Sequence, residues 1–471
     1  MLFNSVIFLI FGSGFFLFWA FIKKHRNLKL AFITLASFFF YGWWDWRFLF
    51  LIIGSGLIDY LAGIIIEKRP ERKKLFLILS VLGNVGSLMA FKYSGFLSDN
   101  LDALFSAMGY NTCFKCHIHD FFLITPVGIS FYTFQSMSYT IDVYKGKLKP
   151  TRNILQFFAY LSMFPQLVAG PIIRARNLLP QLLTNNKTTE EDRWAGLKLI
   201  VHGFFKKMVI ADNLAPFVNQ AFEGTGGIES GIYWWLVITA FAFQIYCDFS
   251  GYSDIARGLA RWMGLNFELN FNHPYTSLSL KEFWTRWHIS LSSWFRDYVY
   301  IPLGGSRKGK FRSHLNMWIT MLVSGFWHGA AWTFIIWGAI HAFFLSLEKI
   351  FSYPNRLGKI RAGKIVLLIF VMLQVWVAWV FFRAGSFHQG TEILGRMFSF
   401  SYHSGSLPGL NIWIFIGIPV LREAMIFAGI RKNRFYPASW NSIVDIVLLA
   451  FLIACCVFFR GPGSEFIYFQ F

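Results

Sequence analysis

Three histidines stand among aromatic and apolar residues in the second half of the sequence. His288 follows Trp287, His328 lies in the run SGFWHGAAW (Ser324–Trp332), and His341 comes later in the same apolar region. A neutral imidazole can take a proton from a hydroxyl group as a general base, and burial among apolar residues keeps the imidazole neutral. His328 is therefore a candidate base, with a packed core histidine as the equal alternative. For His288 we favour packing or hydrogen bonding.

Other residues near these histidines are candidates for contacts with a substrate or with a polar passage through the protein. Asp248 and Asp254 have too many apolar neighbours to be free surface charges, so we expect them to orient helices through hydrogen bonds or to line the passage. The other candidates are tryptophans, arginines and an aspartate: Trp327, Trp332, Arg286, Arg296 and Asp297.

A separate motif, Cys113-Phe114-Lys115-Cys116-His117, matches the C-x-x-C-H pattern of covalent haem attachment. The same residues, with His119, could also bind zinc. The motif stands alone, and two cysteines outside the cytoplasm most often form a disulfide. We therefore expect a disulfide or free thiols ahead of zinc or haem, and we predict no metal site.

The elements that must position these residues are membrane helices. Only 14% of the 471 residues are charged, against about 25% in a typical soluble domain, and mean hydropathy is +0.48. Continuous apolar runs near the length of a membrane span recur along the chain. We therefore predict an all-α polytopic integral membrane protein with about ten to thirteen crossing or re-entrant segments. Examples of the runs are Asn4–Ile22, Phe48–Ile66, Leu75–Lys92, Ile365–Phe382 and Ile443–Phe459.

Basic loops account for the formal net charge of +20. The cluster Lys23–Arg26 follows the first apolar run, so the positive-inside rule places it in the cytoplasm and Met1 outside. A basic cytoplasmic face suits anionic lipid headgroups or a phosphate-bearing soluble substrate. Because the basic loops are dispersed between membrane spans, we expect no nucleic-acid partner.

From about residue 121 the apolar segments contain Gly, Pro, Asp and His. Interrupted helices at membrane depth are tolerated where the backbone is buried or lines a wet cavity, so we expect a polar tunnel in this region. The interrupted segments are Pro126–Phe134, Phe164–Ile172, Tyr246–Asp254 and Tyr300–Ser306.

The stretch from Ser279 to Tyr298 predicts one amphipathic helix at the membrane interface, with Ser279 as N-cap and Glu282 completing a capping box. Its tryptophans and large apolar residues fall on one face: Trp284, Trp287, Leu291, Trp294 and Tyr298.

After this stretch, residues 315–327 predict a helix of about 20 Å, too short to cross a bilayer comfortably, so His328 is expected at membrane depth. Gly325 and Gly329 allow close helix approach. His341 could share a face with His328 only if the helix between them were broken.

Two segments, FWTRWHISLSSWFRDYVYIPLGGSR and SGFWHGAAWTFIIWGAIHA, resemble the membrane-bound O-acyltransferases. They are most similar to the branch that O-acetylates bacterial exopolysaccharides such as alginate, and peptidoglycan. The segments Pro126–Gly146, Phe164–Ile172 and Tyr246–Gly264 also resemble that branch. The likeness spans most of the chain and is strongest from about residue 123 to residue 342.

The resemblance implies a ring of transmembrane and re-entrant helices around a central tunnel. It maps the signature histidine of the family onto His328, the second histidine onto His341, and the RWHISLS histidine onto His288. It divides the single domain of residues 1–471 into N-terminal spans with an outer loop (1–120), a catalytic core (121–348) and C-terminal spans (349–471).

The function implied is the passage of an acetyl group across the bacterial inner membrane. The donor would be cytoplasmic acetyl-CoA, without a tightly bound cofactor. A periplasmic partner protein would finish the acetylation, because the chain has no segment resembling a soluble serine-esterase-type domain. The Cys113–His117 motif is outside the resemblance. The alternatives are the D-alanyl-transfer branch of the same family, a polymer or lipid transporter without covalent chemistry, and a haem protein.

Overall fold

The protein is helical throughout the described chain. The computed structural model describes residues 1–184, 188–224, 230–399, 408–430 and 443–467, and within these residues it contains no β-strand. The predicted all-α class is therefore confirmed. The chain divides into two compact units, residues 1–196 with 256–268 and residues 197–255 with 269–471. The predicted arrangement of residues 1–471 as one domain in three parts stays a prediction.

The first half of the chain holds ten helices before the boundary near residue 196, counted over the described residues. They are α1 (Val6–Ile22), α2 (Arg26–Gly42), α3 (Leu49–Lys68), α4 (Lys73–Leu88), α5 (Ser94–Ala107), α6 (Asp120–Leu123), α7 (Ile129–Tyr144), α8 (Ile154–Leu161), α9 (Phe164–Leu167) and α10 (Ala175–Leu183).

The following helices belong wholly or partly to the second unit. They are α11 (Glu190–Phe204), α12 (Asp212–Phe222), α13 (Gly231–Trp262), α14 (Leu280–Arg286), α15 (Ile289–Phe295), α16 (Gly309–His328), α17 (Trp332–Phe351), α18 (Tyr353–Leu357), α19 (Arg361–Arg383), α20 (Phe387–Met397), α21 (Leu410–Phe427) and α22 (Ile443–Phe458).

Six helical segments in the described residues are long and apolar enough to cross a membrane, and α1 and α22 are shorter apolar helices. The predicted apolar runs coincide with α1, α3, α4, α19 and α22 to within a few residues. The chain is therefore a multi-pass membrane protein. The six long segments are Trp46–Lys68, Pro70–Ala107, Gly231–Trp262, Trp332–Phe351, Arg361–Arg383 and Leu410–Phe427.

A buried carboxylate ties three helices of the first unit together. Asp59 on α3 has no exposed surface. It accepts hydrogen bonds from the Thr140 hydroxyl and the Asn84 amide, both at 2.8 Å, and from the hydroxyls of Ser80 and Ser136. Four donors on α4 and α7 satisfy the two oxygens of one buried carboxyl group and hold the three helices together.

The predicted interruptions are confirmed at three places and wrong at the fourth. In the segment Phe164–Ile172, α9 ends at Leu167 and the chain continues without a helix as far as residue 174. Gly128 precedes α7 with a φ of 75°, and Gly305 forms a turn with a φ of 55°. The prediction of a break at Tyr246–Asp254 is wrong, because the 32-residue α13 runs through it. Gly251 serves close packing there instead: a Cβ atom at this position would lie 2.8 Å from the carbonyl oxygen of Gly203.

The predicted single interfacial helix is also wrong. The chain forms α14 and α15 separated at His288, whose φ of 42° takes the backbone out of the helix. Trp287 and Trp294 are 2% and 5% exposed, so they pack inside the protein instead of anchoring its surface. The predicted N-cap is confirmed, because the Ser279 hydroxyl accepts from the Glu282 N–H at 3.0 Å.

Helices α16 and α17 form a tight antiparallel hairpin. The predicted helix at 315–327 is longer than expected, since α16 starts at Gly309 and reaches His328. A Cβ atom at Gly325 would overlap the carbonyl oxygen of Phe334, and one at Gly338 would overlap that of Met321. The two helices therefore approach as closely as glycine allows, as the small-residue spacing predicted.

Candidate functional site

His328 and His341 both pack against the indole ring of Trp337. His328 is the last residue of α16, the chain leaves the helix at Gly329, and α17 carries His341 back into the same region. The ring centroid of Trp337 is 4.9 Å from that of His328 and 4.8 Å from that of His341. The helix is thus broken between the two histidines. This is the condition under which the sequence analysis expected His341 and His328 to share a face.

Four helices supply the aromatic walls around this pair. His328 packs against Trp327 at 5.0 Å and against Phe382 of α19 at 5.2 Å between ring centroids. His341 packs against Trp284 of α14 at 5.0 Å and stacks on Phe283 with ring planes 7° apart. These rings enclose the two imidazoles, so a polar atom in the site would interact strongly with a molecule bound there.

Several polar ring atoms at this site lack a protein partner. Within the described part of the chain, neither nitrogen of His341 has a hydrogen-bond partner, and the same is true of the indole nitrogens of Trp284 and Trp337. His341 and Trp337 are each 1% exposed. Buried polar groups are seldom left without partners in folded proteins. The arrangement therefore suits a polar substrate group that reaches the face shared by these rings.

His288 is held in place by an asparagine from a distant segment. The ring nitrogen Nδ1 of His288 lies 3.2 Å from the side-chain oxygen of Asn270. That atom also accepts from the Ser290 N–H at 3.1 Å and hydroxyl at 2.9 Å, which identifies it as the oxygen. His288 Nδ1 therefore carries a proton, and Nε2 is the basic nitrogen when the ring is neutral.

This histidine belongs to the same aromatic region as the other two. The His288 ring lies 4.6 Å from Phe249 and 6.4 Å from Trp327, the neighbour of His328. Reasoning from the sequence selected His288 but missed Asn270. The only signal for Asn270 was a polar residue in the segment FELNFNHPY (267–275), which carried no pattern of its own.

Glu348 is a second residue that the sequence analysis missed. Its carboxylate, near the end of α17, accepts from the backbone N–H of Leu280 at 2.6 Å and of Lys281 at 3.3 Å, at the start of α14. It lies two helical turns after His341, on the same face of α17. A carboxylate at a helix N-terminus is stabilising. Glu348 therefore fixes the helix whose Phe283 and Trp284 contact His341.

The remaining candidates near the histidines are placed in different environments. Trp327 is 4% exposed within the aromatic walls, whereas Trp332 is 57% exposed at the first residue of α17. Arg286 donates to the Glu282 carboxylate at 2.6 Å and to the Thr276 hydroxyl at 2.9 Å. The exposed Arg296 pairs with the neighbouring Asp297 at 2.8 Å. The structure thus brings Trp327 to the histidines and directs the Arg296–Asp297 pair outwards.

Asp248 and Asp254 orient helices through buried ion pairs, one of the two roles expected for them. Asp248 lies 2.8 Å from the ammonium of Lys207, and it accepts from the Ile467 N–H at 2.8 Å. Lys207 also contacts Asp212 at 2.9 Å. Asp254 pairs with Lys206 at 2.5 Å. Buried charges paired in this way hold α13 to the π-helical turn 205–211 and to the residues after α22.

The cysteine motif, in the first unit, contains a disulfide. Cys113 and Cys116 are bonded to each other, which is the first of the alternatives expected for this loop. The His117 ring nitrogen Nδ1 lies 2.7 Å from the Cys113 carbonyl oxygen. In the described ranges no group of three His, Cys, Asp or Glu side chains could hold a metal ion.

The family to which these features belong follows from comparison with known proteins. Residues 151–387, which include all three histidines, match the model of the membrane-bound O-acyltransferase family (MBOAT). The chain belongs to this family, and it is an enzyme of the O-acetyltransferase type.

The chain is also similar to individual proteins whose names state the group that they transfer. The chain is 36% identical to a Pseudomonas putida protein named "Probable alginate O-acetylase AlgI", over the full length of both chains. It is 34% identical to the Helicobacter pylori "Peptidoglycan O-acetyltransferase", with 84% of this chain and 80% of that protein covered. A Streptococcus thermophilus "Teichoic acid D-alanyltransferase" is 32% identical over 46% of this chain and 55% of its own.

Proposed function

We propose that the protein moves an acetyl group from acetyl-CoA in the cytoplasm across the bacterial inner membrane, for O-acetylation of an extracytoplasmic polysaccharide of the alginate or peptidoglycan kind. A periplasmic partner protein receives the acetyl group or completes its transfer. The full-length similarity to an alginate O-acetylase and the long match to a peptidoglycan O-acetyltransferase support this substrate class.

The observation that carries the proposal is the aromatic site that joins His328 and His341 through Trp337. It presents two imidazoles and an indole N–H in a water-poor interior, and His341 has no hydrogen-bond partner among the described residues. Such a site suits acyl transfer, which needs a base for the attacking hydroxyl and donors for the oxyanion.

In the proposed reaction, His328 takes the proton of the acceptor hydroxyl while the hydroxyl oxygen attacks the carbonyl carbon of the thioester. The indole N–H of Trp337 or an N–H of His341 donates to the carbonyl oxygen as negative charge develops there. The carbon–sulfur bond then breaks, and the thiolate of coenzyme A takes the proton held by His328. His288, oriented by Asn270, supports the aromatic wall beside Trp327. Transient transfer of the acyl group to His328 itself is the alternative route.

The donor would approach from the basic face of the protein. Exposed cations follow α15, among them Arg296. Arg307 and Lys308 lie in the loop before α16, and Lys310 lies in the first turn of that helix. These residues can meet the phosphates of coenzyme A. A central tunnel would bring the acceptor or its carrier to the histidines from the other side of the membrane, with Met1 on that outer side.

The decisive experiment uses purified protein in lipid with radiolabelled acetyl-CoA, with and without a candidate periplasmic partner. We expect His328→Ala to remove acetyl transfer while the protein still folds and inserts, because no other group replaces the base. His388→Ala, at an exposed histidine on α20, is the matched control and should keep full activity. Near-normal polymer acetylation by His328→Ala would refute the assignment of the base, and so would transport that continues without a thioester donor.

D-alanyl transfer is a second candidate because the Streptococcus relative matches about half of this chain. Its acyl group would come from a carrier protein. Chemical analysis of the modified polymer distinguishes the two reactions, since acetate is expected here and D-alanine would show the other branch.

A further inference from the structure

A cavity of about 530 Å³ lies in the first compact unit. It is formed by the end of α1, the start of α2, the end of α10 and the residues just after α13. This volume is in the range of sites that bind small molecules. The cavity contains none of the residues assigned to acyl transfer.

The walls of the cavity combine positive charge with apolar surface. Lys23, Lys24 and Lys29 line it together with Trp19 and Ile33, and no acidic side chain is among the lining residues that the structure describes. Lys29 is only 5% exposed, and its ammonium donates to the Thr184 carbonyl oxygen at 3.0 Å. The Thr184 carbonyl oxygen accepts one N–H of Lys29 but carries no negative charge, and no carboxylate of the described residues pairs with this ammonium. An anion in the cavity would therefore be stabilised.

The position of the cavity along α1 indicates the kind of anion. The last turns of α1 expose large apolar side chains, with Leu17, Phe18 and Phe21 at 63%, 59% and 73%. In a membrane protein such a face contacts lipid chains. Lys23 and Lys24 follow directly at the end of this helix. The lysines therefore stand where lipid headgroups meet the end of the hydrocarbon layer.

We propose that this cavity binds the headgroup of an anionic phospholipid. The lipid phosphate lies among the ammonium groups of Lys23, Lys24 and Lys29. The glycerol and the first part of an acyl chain lie against Trp19 and Ile33 and continue along the exposed face of α1. Juxtamembrane lysines attract anionic lipids in this way. Because phosphate is the group recognised, a soluble phosphate compound is the competing source, and the experiment separates the two.

The test measures lipid binding to the purified full-length protein by native mass spectrometry and by thermal unfolding in detergent. Phosphatidylglycerol, phosphatidylcholine, inorganic phosphate and coenzyme A are added separately. We expect phosphatidylglycerol to bind and to raise the unfolding temperature more than phosphatidylcholine does. We expect the Lys23→Gln/Lys24→Gln double variant to bind phosphatidylglycerol roughly 30-fold more weakly, because each of the two lost positive charges near the membrane surface contributes to the attraction of anionic lipid.

The matched control is Lys73→Gln/Lys74→Gln, which changes two exposed adjacent lysines at the start of α4 and should bind phosphatidylglycerol as the wild type does. Equal binding of the two lipids to the wild type would overturn the proposal, whatever the variants do. So would undiminished binding by the cavity variant, or displacement of phosphatidylglycerol by inorganic phosphate or coenzyme A at similar concentrations. Acetyl transfer is not the readout, so failure of the acyltransfer mechanism would leave this result standing.

Discussion

At the scale of single residues, the chemistry of the site depends on how each imidazole is surrounded. His288 has its tautomer set by Asn270, so its basic nitrogen is Nε2. His341 is enclosed by aromatic rings, with no partner for either nitrogen in the described residues. These environments differ because His288 lies between two helices, where the Asn270 side chain reaches its ring, while His341 lies in the middle of α17. Residues of one type can thus take different roles in a single site.

Replacing Asn270 by Ala tests whether the orientation of His288 matters for catalysis. The variant removes the acceptor of the His288 ring and of the Ser290 N–H and hydroxyl together. Leaving such donors unpaired costs about 1–3 kcal/mol, so we expect kcat to fall about tenfold or more. Steady-state acetyl transfer is the measurement, with Asn355→Ala, at an exposed asparagine, as the control. A kcat equal to that of the wild type would show that His288 is only a packing residue.

At the scale of elements, the site is built from helices that are locked to one another at their ends. Glu348 holds the start of α14 to the end of α17, so Trp284 and His341 keep their contact. The glycine contacts between α16 and α17 bring Trp337 against both histidines. The Glu348 hydrogen bonds and the glycine contacts both fix the distance between neighbouring helices. A small displacement of one helix would change the geometry at the reacting atoms.

Glu348→Ala should lower both activity and stability. It leaves the first N–H groups of α14 without the carboxylate, a loss typically worth about 1–2 kcal/mol at a helix N-terminus. We expect a lower unfolding temperature and a lower kcat, while binding of the donor changes less. Glu392→Ala, which removes only an exposed partner of Arg396, should change neither quantity. The role given to Glu348 fails if both variants behave alike.

Gly338→Ala tests the close approach of α16 and α17. The added methyl group would overlap the Met321 carbonyl oxygen, so the helices must separate. Overpacking of this kind typically costs about 1–3 kcal/mol, and it should lower the unfolding temperature along with acetyl transfer. The control is Gly417→Ala in α21, where nothing lies within 4 Å of the new Cβ atom. A stable and active Gly338→Ala protein would show that the hairpin tolerates a wider spacing.

At the scale of the whole molecule, the orientation in the membrane determines which loops face the cytoplasm and which face the outside. Basic clusters such as Lys23–Arg26 predict the cytoplasmic side, and the Cys113–Cys116 disulfide is chemistry of an oxidising compartment. Both signals favour the orientation that we propose, with Met1 and the cysteine loop outside. They are independent, since one rests on charge and the other on redox chemistry.

Thiol labelling in intact cells tests this orientation. After treatment with a reductant, a membrane-impermeant maleimide should label Cys113 and Cys116 without lysis, because the proposed orientation places this loop in the periplasm. Cys247 is buried and should stay unlabelled under the same conditions. Labelling of the loop only after lysis would reverse the proposed topology and place Met1 in the cytoplasm.

Composition and local patterns alone determined that this is a helical membrane protein, where its main apolar helices run, and which three histidines deserve testing. These properties are local: hydropathy over a span and unusual residues within a short motif are visible without folding the chain. The tertiary structure alone decided the break at His288, the unbroken course of α13, and the convergence of His328 and His341 on Trp337. It also revealed Asn270 and Glu348, whose partners lie 18 and 68 positions away in the sequence. Contacts over such separations depend on how helices pack. The apolar periodicity of one helix does not show which other helix packs against it.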